Sequence, residues 1–484
     1  MANCDTLIRN ASVLDGSGNA SGRADVALRG DRILAVGPAL RHAATNVIEA
    51  EGRVLAPGFV DGHTHDDLAV IRRPAMLPKL SQGVTTVIVG NCGISASPVR
   101  LRGDLPDPMN LLGVAEDFRY PTFVAYINAI REARPAVNVA ALVGHTSLRN
   151  NHMDRLDRTA TEAEISAMRA QLHEALDAGA LGLSSGLAYG SAHAATTEEV
   201  LGVAEPLTSA SALYVTHMRT EAEAILEAMG EAFAIGCHCG VPVVISHLKC
   251  SGIANWGRSD EVLDELQKVR ETQPAGCDCY PYAASSSTLD LRQVDPRVEI
   301  TITWSTPHPE QAGKSLAAIA ADWAVPQLEA AQRLQPAGAI YYSMDEPDMR
   351  RILAHPATMI GSDGLPEDPR PHPRLWGTFP RVLGRYSREE RLIPLPQAIY
   401  KMTGLPAQRF GLPQRGLIRE GYFADLVLFD PETICDTATF SDPIQPARGI
   451  EAVWVNGVLS YTASGATGER AGSFLARGAA TWIQ

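Results

Sequence analysis

The sequence predicts an α/β protein: a (β/α)8 (TIM) barrel, a small β-sandwich domain built from both chain ends, and an insertion over the barrel mouth. Three observations predict it. Eight short apolar, β-branched runs recur through the middle of the chain, with helix signals between several of them. Both ends read as hairpins with no room for helices. Side chains that bind metals fall just past the ends of five of those eight runs.

Length and composition allow this architecture. The chain has 484 residues, 45% of them hydrophobic, enough to bury a large core. An α/β barrel absorbs about 250 residues or more as one unit, so the length does not demand three ordinary domains. The formal charge is -13 and the pI about 5.5, with no run of Lys or Arg. Neither nucleic acid nor a membrane surface is therefore expected as a partner. The start, Met1-Ala2-Asn3-Cys4-Asp5, lacks a basic region followed by an apolar core, so no signal segment is expected. No apolar run is long enough to span a bilayer. Eight cysteines in so long a chain do not make a disulfide framework. The expectation is a soluble cytoplasmic protein with reduced thiols, a monomer or small homo-oligomer.

The β-rich ends come first in the chain and last. Runs at 5–10, 23–28 and 33–36 are separated by Asp15-Gly16-Ser17-Gly18 and Gly30-Asp31, both turn-formers. Runs at 424–429 and 452–455, the latter followed by Asn456-Gly457, repeat the pattern. The economical solution pairs 1–57 with 414–484 in one β-domain. The middle, 58–413, holds strands at 58–61, 85–90, 137–143, 180–183, 213–216, 242–246, 276–280 and 358–361. Near-continuous apolar strands belong to a parallel sheet buried on both faces. Thr161 with Glu164, Thr196 with Glu199 and Thr220 with Glu223 match the capping box and predict helix starts. The stretch at about 285–343 is too long for a simple βα loop and reads as an insertion.

In a barrel the active site forms at the C-terminal ends of the strands. His63 and His65 end the first, Cys92 the second, His217 the fifth, His247 the sixth and Asp363 the eighth. Singly, each has an ordinary explanation: Cys92 as a small buried hydrophobe, His217 or His247 as a satisfied polar residue, Asp363 as a turn residue. Together they form a zinc-preferring set of thiolate, imidazole and carboxylate donors. His145 and His152 lie off the pattern and read as structural. Cys237/Cys239 and Cys277/Cys279 lack zinc-ribbon spacing and read as packing, with Asp278 alternating between the second pair. Gly182-Leu183-Ser184-Ser185-Gly186 matches a nucleophile elbow, but an elbow turns straight into a helix and no helix signal follows here until Thr196.

These residues carry a resemblance. The chain resembles the N-acyl-D-amino-acid deacylases (D-aminoacylases) of the amidohydrolase superfamily over nearly its whole length. The matching stretches include Pro57-Gly58-Phe59-Val60-Asp61-Gly62-His63-Thr64-His65-Asp66-Asp67, Gly90-Asn91-Cys92-Gly93-Ile94, Ile245-Ser246-His247-Leu248-Lys249 and Gly361-Ser362-Asp363-Gly364-Leu365-Pro366. Cys92 is the specific mark, since most of the superfamily has a carboxylated lysine or a Glu there. The resemblance implies one tightly bound Zn2+ on Cys92, His217 and His247. It implies a second position, weak or empty, on His63, His65 and Asp363. It also implies Asp363 as general acid/base while activated water attacks the amide carbonyl of a small N-acyl-D-amino acid. Tyr189, Lys249, Tyr280, Ser286, Met344 and Arg374 would line the substrate pocket, with Arg374 holding the α-carboxylate bidentately and Lys249 adding a point charge. Asn255-Trp256-Gly257-Arg258-Ser259 and the stretch from Thr303 to Glu310 look most like members that prefer N-acyl-D-glutamate. Arg292 would then meet the side-chain carboxylate. It sits one position before the relatives' arginine, with Gln293 in its place, so a hydrophobic or other D-residue stays open. Two alternatives stand beside this reading: a cyclic amidase of dihydroorotase or hydantoinase type, and a non-catalytic zinc-stabilised binding protein.

Overall fold

The apolar runs of the middle form parallel strands. They are β1 (Phe59–Asp61), β2 (Val84–Val89), β3 (Asn138–Ala141, resumed at Val143–Gly144), β4 (Gly182–Gly186), β5 (Leu213–His217), β6 (Val243–Ile245), β7 (Ala275–Cys279) and β8 (Thr358–Ile360). Apart from His217, every residue in them is buried, which is why they read as continuous apolar runs. The computed structural model describes residues 3–480 and Trp482. Met1 and Ala2, at the start of the stretch read for a signal segment, and Thr481, Ile483 and Gln484 lie outside the described residues.

Two parallel ladders contain these strands. One runs β1–β2–β3; the other runs from Val143–Gly144 through β4, β5, β6 and β7 to β8. They meet at both edges. At one, Leu142 N donates to Val89 O (2.9 Å). At the other, Gly62 N donates to Ile360 O (3.4 Å), and Thr64 bridges Gly364 in parallel. The strand ends that carry His63, Cys92, His217, His247 and Asp363 therefore face one end of a continuous parallel assembly. Helices cover its outside. Thr161 starts the helix Glu162–Asp177 with the reciprocal bonds of a capping box. Thr196 caps Thr197–Ala204. Thr220 does not start a helix: the next one is Ile225–Cys239, with no side-chain cap. The reason is tertiary, because Glu221 bonds Lys249 in the site. Among the described residues, no helix is long and apolar enough to cross a membrane.

The ends pair. Val54–Pro57 lies antiparallel to Leu426–Phe429, with Leu428 opposite Leu55. Cys4–Val13 joins Val54–Pro57 on its other side and also pairs with Gly22–Arg29 and Ala44–Glu49. Ile450–Val455 and Val458–Thr462 extend the opposite edge through a turn at Asn456 and Gly457 (φ +48° and +78°), the conformation a tight hairpin needs. The structure places nine strands in one hydrogen-bonded network that branches at Cys4–Val13, which serves three partners. Leu28, Leu55, Leu426 and Trp454 are among its buried apolar residues.

The insertion is a folded unit. Ala337–Tyr341 is the central strand between Ser285–Thr288 and Ile300–Ser305, all antiparallel. Helices Leu316–Asp322 and Gln327–Leu334 cover it around a separate apolar cluster that includes Ile302, Ile319 and Leu334. A core of its own explains a connection far longer than a loop.

Candidate metal centre

The backbone aims the donors. Cys92, His247 and Asp363 all have left-handed φ (+55°, +36° and +48°), which costs non-glycine residues free energy and gathers at functional sites. Each turns the chain sharply after its strand. Close approach does the rest: a Cβ on Gly361 would stand 2.5 Å from His63 Cβ, so only glycine lets β8 lie against the first histidine.

The side chains then converge. Cys92 Sγ lies 3.2 Å from His63 Nε2 and 3.3 Å from His247 Nε2. His65 Nε2 is 3.2 Å from Asp363 Oδ1. Cys92, His217 and His247 form one group whose ligand atoms lie within 4.8 Å of one another; His63, His65, Cys92 and Asp363 form a second. Cys92 belongs to both. The chemistry fits zinc, with thiolate and imidazole donors in both groups and a carboxylate in the second. His65 Nδ1 and His217 Nδ1 are buried with no hydrogen-bond partner among the described residues. Such atoms cost roughly 1–3 kcal/mol each, a penalty removed from any ring nitrogen that coordinates an ion.

Charge is arranged to match. Burial pushes the Cys92 thiol up, but His63 and His247 outweigh it and hold it well below the usual thiol range. Burial also pushes the Asp363 carboxyl up, and Arg374 and His65 hold it well below the usual carboxylate range. Arg374 Nη1 stands 2.9 Å from Asp363 Oδ2. Burial lowers His63, yet Asp278 and Cys92 raise it overall.

Two further residues support the donors and were not singled out from sequence. Asp278, in β7, accepts from His247 N (2.9 Å) and lies 3.2 Å from His63 Nδ1. A carboxylate on one ring nitrogen turns the other toward the ligand shell. Its signal was alternation: Cys277 and Cys279 point one way in a strand, so Asp278 points the other, toward the site. Glu221 lies 2.9 Å from His247 Nδ1 and accepts from Lys249 Nζ at 2.5 Å, with its carboxyl held down at about 2. It was hidden inside an apparent capping box. Beneath, buried Lys79 donates to Asp61 (2.7 Å), Thr64 (2.9 Å) and Ser362 (2.9 Å), tying the end of β1 to the end of β8.

A cavity of about 360 Å³ opens on this centre. His65, His217, His247, Asp363, Lys249, Tyr189, Ser286 and Arg292 border it. Three expected pocket residues stand behind that wall. Tyr280 donates to Met344 Sδ (3.7 Å), and the Arg374 guanidinium lies 4.6 Å from the Tyr280 ring centre. Arg374 is 1% exposed and divides its guanidinium between Asp363 and the carbonyl of Ser286 (3.0 Å). Asp363 and Ser286 thus hold the guanidinium, whose Nε has no hydrogen-bond partner among the described residues. Arg292 forks onto Asp290 (Nη2–Oδ2 2.8 Å) and donates to the Ala188 carbonyl, so its charge is already matched. Elsewhere, His145 lies 3.2 Å from Glu199, and His152 lies 2.9 Å from Gln171 Oε1. Ser184, of the elbow-like stretch, donates to Gly90 O and accepts from Gly93 N (3.1 Å) inside the core, where no substrate reaches its hydroxyl.

The model of the amidohydrolase family matches residues 46–461. The D-aminoacylase of Alcaligenes xylosoxydans xylosoxydans is 49% identical, covering 98% of each chain. The N-acyl-D-aspartate deacylase of the same organism is also 49% identical, covering 100% of this chain and 97% of that one. The crystal structure of N-acyl-D-glutamate deacylase from Bordetella bronchiseptica, complexed with zinc and a phosphonate mimic of the tetrahedral intermediate, is 44% identical. It superposes with a TM-score of 0.94 over 98% of this chain and 100% of that one.

Proposed function

The chain belongs to the amidohydrolase family, and from that premise we propose that it hydrolyses N-acyl-D-amino acids to a carboxylate and a free D-amino acid with the help of zinc. The observation that carries this reading is Cys92, a buried thiolate common to both donor groups with Asp363 in the same shell. One zinc belongs with Cys92, His217 and His247; a second, weaker position belongs with His63, His65 and Asp363. The two ladders are read as one closed barrel over 58–413, with the 285–343 unit over its mouth and the ends forming the flanking β-domain.

When bound, zinc acidifies water and polarises a carbonyl as a Lewis acid. The chain's own groups do the remaining work. Asp363, kept ionised by Arg374, can take a proton from water at its Oδ1 and deliver it to the leaving amine, which departs poorly without one. Lys249, on the cavity wall, holds the substrate's α-carboxylate while Glu221 and His247 fix its position. Arg374 orients the acid/base. With the carboxylate and the carbonyl both held, the side chain has one direction to take, which separates D from L. Asp290 holds Arg292 as Glu221 holds Lys249, so uncharged D-side chains stand beside a glutamate side chain as proposed preferences. N-acyl-D-glutamate is the alternative that Arg292 would serve after leaving Asp290. A cyclic amidase fits less well, since its usual lysine is replaced by Cys92.

The test is amine release from matched N-acetyl-D- and N-acetyl-L-amino acids, with zinc analysis of the same sample. D-selective turnover that a chelator abolishes and zinc restores is expected. Faster turnover of L-substrates, or hydrolysis indifferent to zinc, would sink the proposal.

A further inference from the structure

The function proposed above leaves the acyl group without a place, and a second cavity supplies one. It measures about 420 Å³, within the range of small-molecule sites. Leu111 and Leu365 border both it and the metal-centre cavity, so the two adjoin along an apolar wall. Its lining continues with Leu105, Val114 and Trp304. Val114 is 58% exposed, a large aliphatic side chain left without cover. Three charged side chains stand at its rim, Arg72, Glu367 and Asp368: Arg72 is matched by Asp117 (2.8 Å) and Glu367 (3.2 Å), and burial pushes the Asp368 carboxyl up to about 6, toward its neutral form.

The walls of the metal-centre cavity differ in kind. Lys249 and Glu221 make one charged, and Ser285, Ser286, Ser287, Asp290 and Arg292 make another polar. Its apolar side chains include Ala188, Ala222 and the rings of Tyr189 and Tyr341, but its large aliphatic ones are Leu111 and Leu365. Leu365 lies two residues past Asp363, beside the group that must meet the scissile amide. An N-acyl-D-amino acid has one charged end, one side chain and one acyl tail. The charged end goes to Lys249 and the side chain to the polar wall, which leaves the tail the apolar exit.

We propose that the cavity lined by Leu105, Val114 and Trp304, entered past Leu111 and Leu365, is an acyl-chain subsite, and that the enzyme acts on N-acyl-D-amino acids with acyl groups well beyond acetyl. The proposal rests on the deacylase reading and extends it to the substrate's other half.

The test is kcat/KM for N-acyl-D-leucines from acetyl to octanoyl, read on one preparation of the zinc-loaded enzyme. Each methylene that enters the cavity should raise kcat/KM roughly fourfold over the first few carbons. Val114→Asp places a charge in the apolar lining and should cut the octanoyl-to-acetyl ratio by about tenfold or more. Trp304→Ala should lower the same ratio. Partial misfolding cancels, because both substrates are read on the same sample. A series that is flat or falls with chain length overturns the subsite, and so does a rising series that neither variant changes. If lengthening the D-side chain at constant acetyl gives the Val114-dependent gain instead, the occupant is the side chain and the proposal fails. Acetyl turnover with a flat series removes the subsite alone; no turnover of any N-acyl-D-amino acid removes the deacylase reading and the subsite with it.

Discussion

A thiolate buried at Cys92 is stable only beside compensating charge, and each nearby residue has a distinct part in supplying it. His63 and His247 face the sulfur, and Asp278 holds both of them, one by its ring and one by its backbone. Asp278→Asn keeps the shape but loses the charge on His63 Nδ1. Loss of such a partner typically costs about 10–100-fold in metal affinity or activity. Zinc titration of the apoprotein should show a fall of that order, and an unchanged affinity would remove Asp278 from its supporting role. Asp363→Asn tests the acid/base directly. Removing a positioned proton carrier costs roughly 10²–10⁴-fold in rate. The expected result is a kcat loss in that range with zinc still bound to the Cys92, His217 and His247 group; a variant with full activity would refute the role.

At the scale of elements, local signals decide where tertiary contacts do not compete. Thr161 and Glu164 form their capping box on an exposed helix start, so the sequence motif and the structure agree. Thr161→Ala should lower stability by about 1 kcal/mol, read as a shift of the urea midpoint. Catalysis should not change, since the helix Glu162–Asp177 contributes nothing to the cavity walls. At Thr220 the same motif starts no helix: Glu221, inside it, is bound by Lys249 and lies against His247, and the next helix begins at Ile225. The eight strand ends were legible because a doubly buried strand has to be apolar and short. The interior of the insertion was not, because serine-rich Ser285–Thr288 pairs as a strand on the strength of its neighbour Ala337–Tyr341 rather than its own propensity.

The whole molecule also carries a buried cation away from the site. Lys401, in the helix Leu395–Met402, donates to the carbonyls of His355 and Thr358 where β8 begins. Burial lowers its pKa from 10.5 to about 7, and neighbouring Arg409 adds to this. The folded state therefore binds fewer protons than the unfolded one between about pH 7 and 10.5. Stability contributed here rises with pH across that window, by up to about 1.36 kcal/mol per unit, and the cost of charging is complete below pH 7. Lys401→Met should flatten the rise. Thermal midpoints of the two proteins measured from pH 7 to 9 check this; parallel curves would contradict it.

The sequence alone brought the candidate donors to one end of the parallel strands, where the structure groups them. Strand periodicity and burial force the eight apolar runs, and a parallel sheet puts its ligands at one end, so His63, His65, Cys92, His217, His247 and Asp363 could be named from one-dimensional spacing and the family resemblance. Only the tertiary structure decided how those groups are held and paired. Arg374 reaches Asp363 rather than the open cavity, Asp290 matches Arg292, and Asp278 and Glu221 steer the histidines. Periodicity reports the face a side chain occupies, whereas pairing depends on distances of a few ångströms between chain segments that no spacing along the sequence encodes.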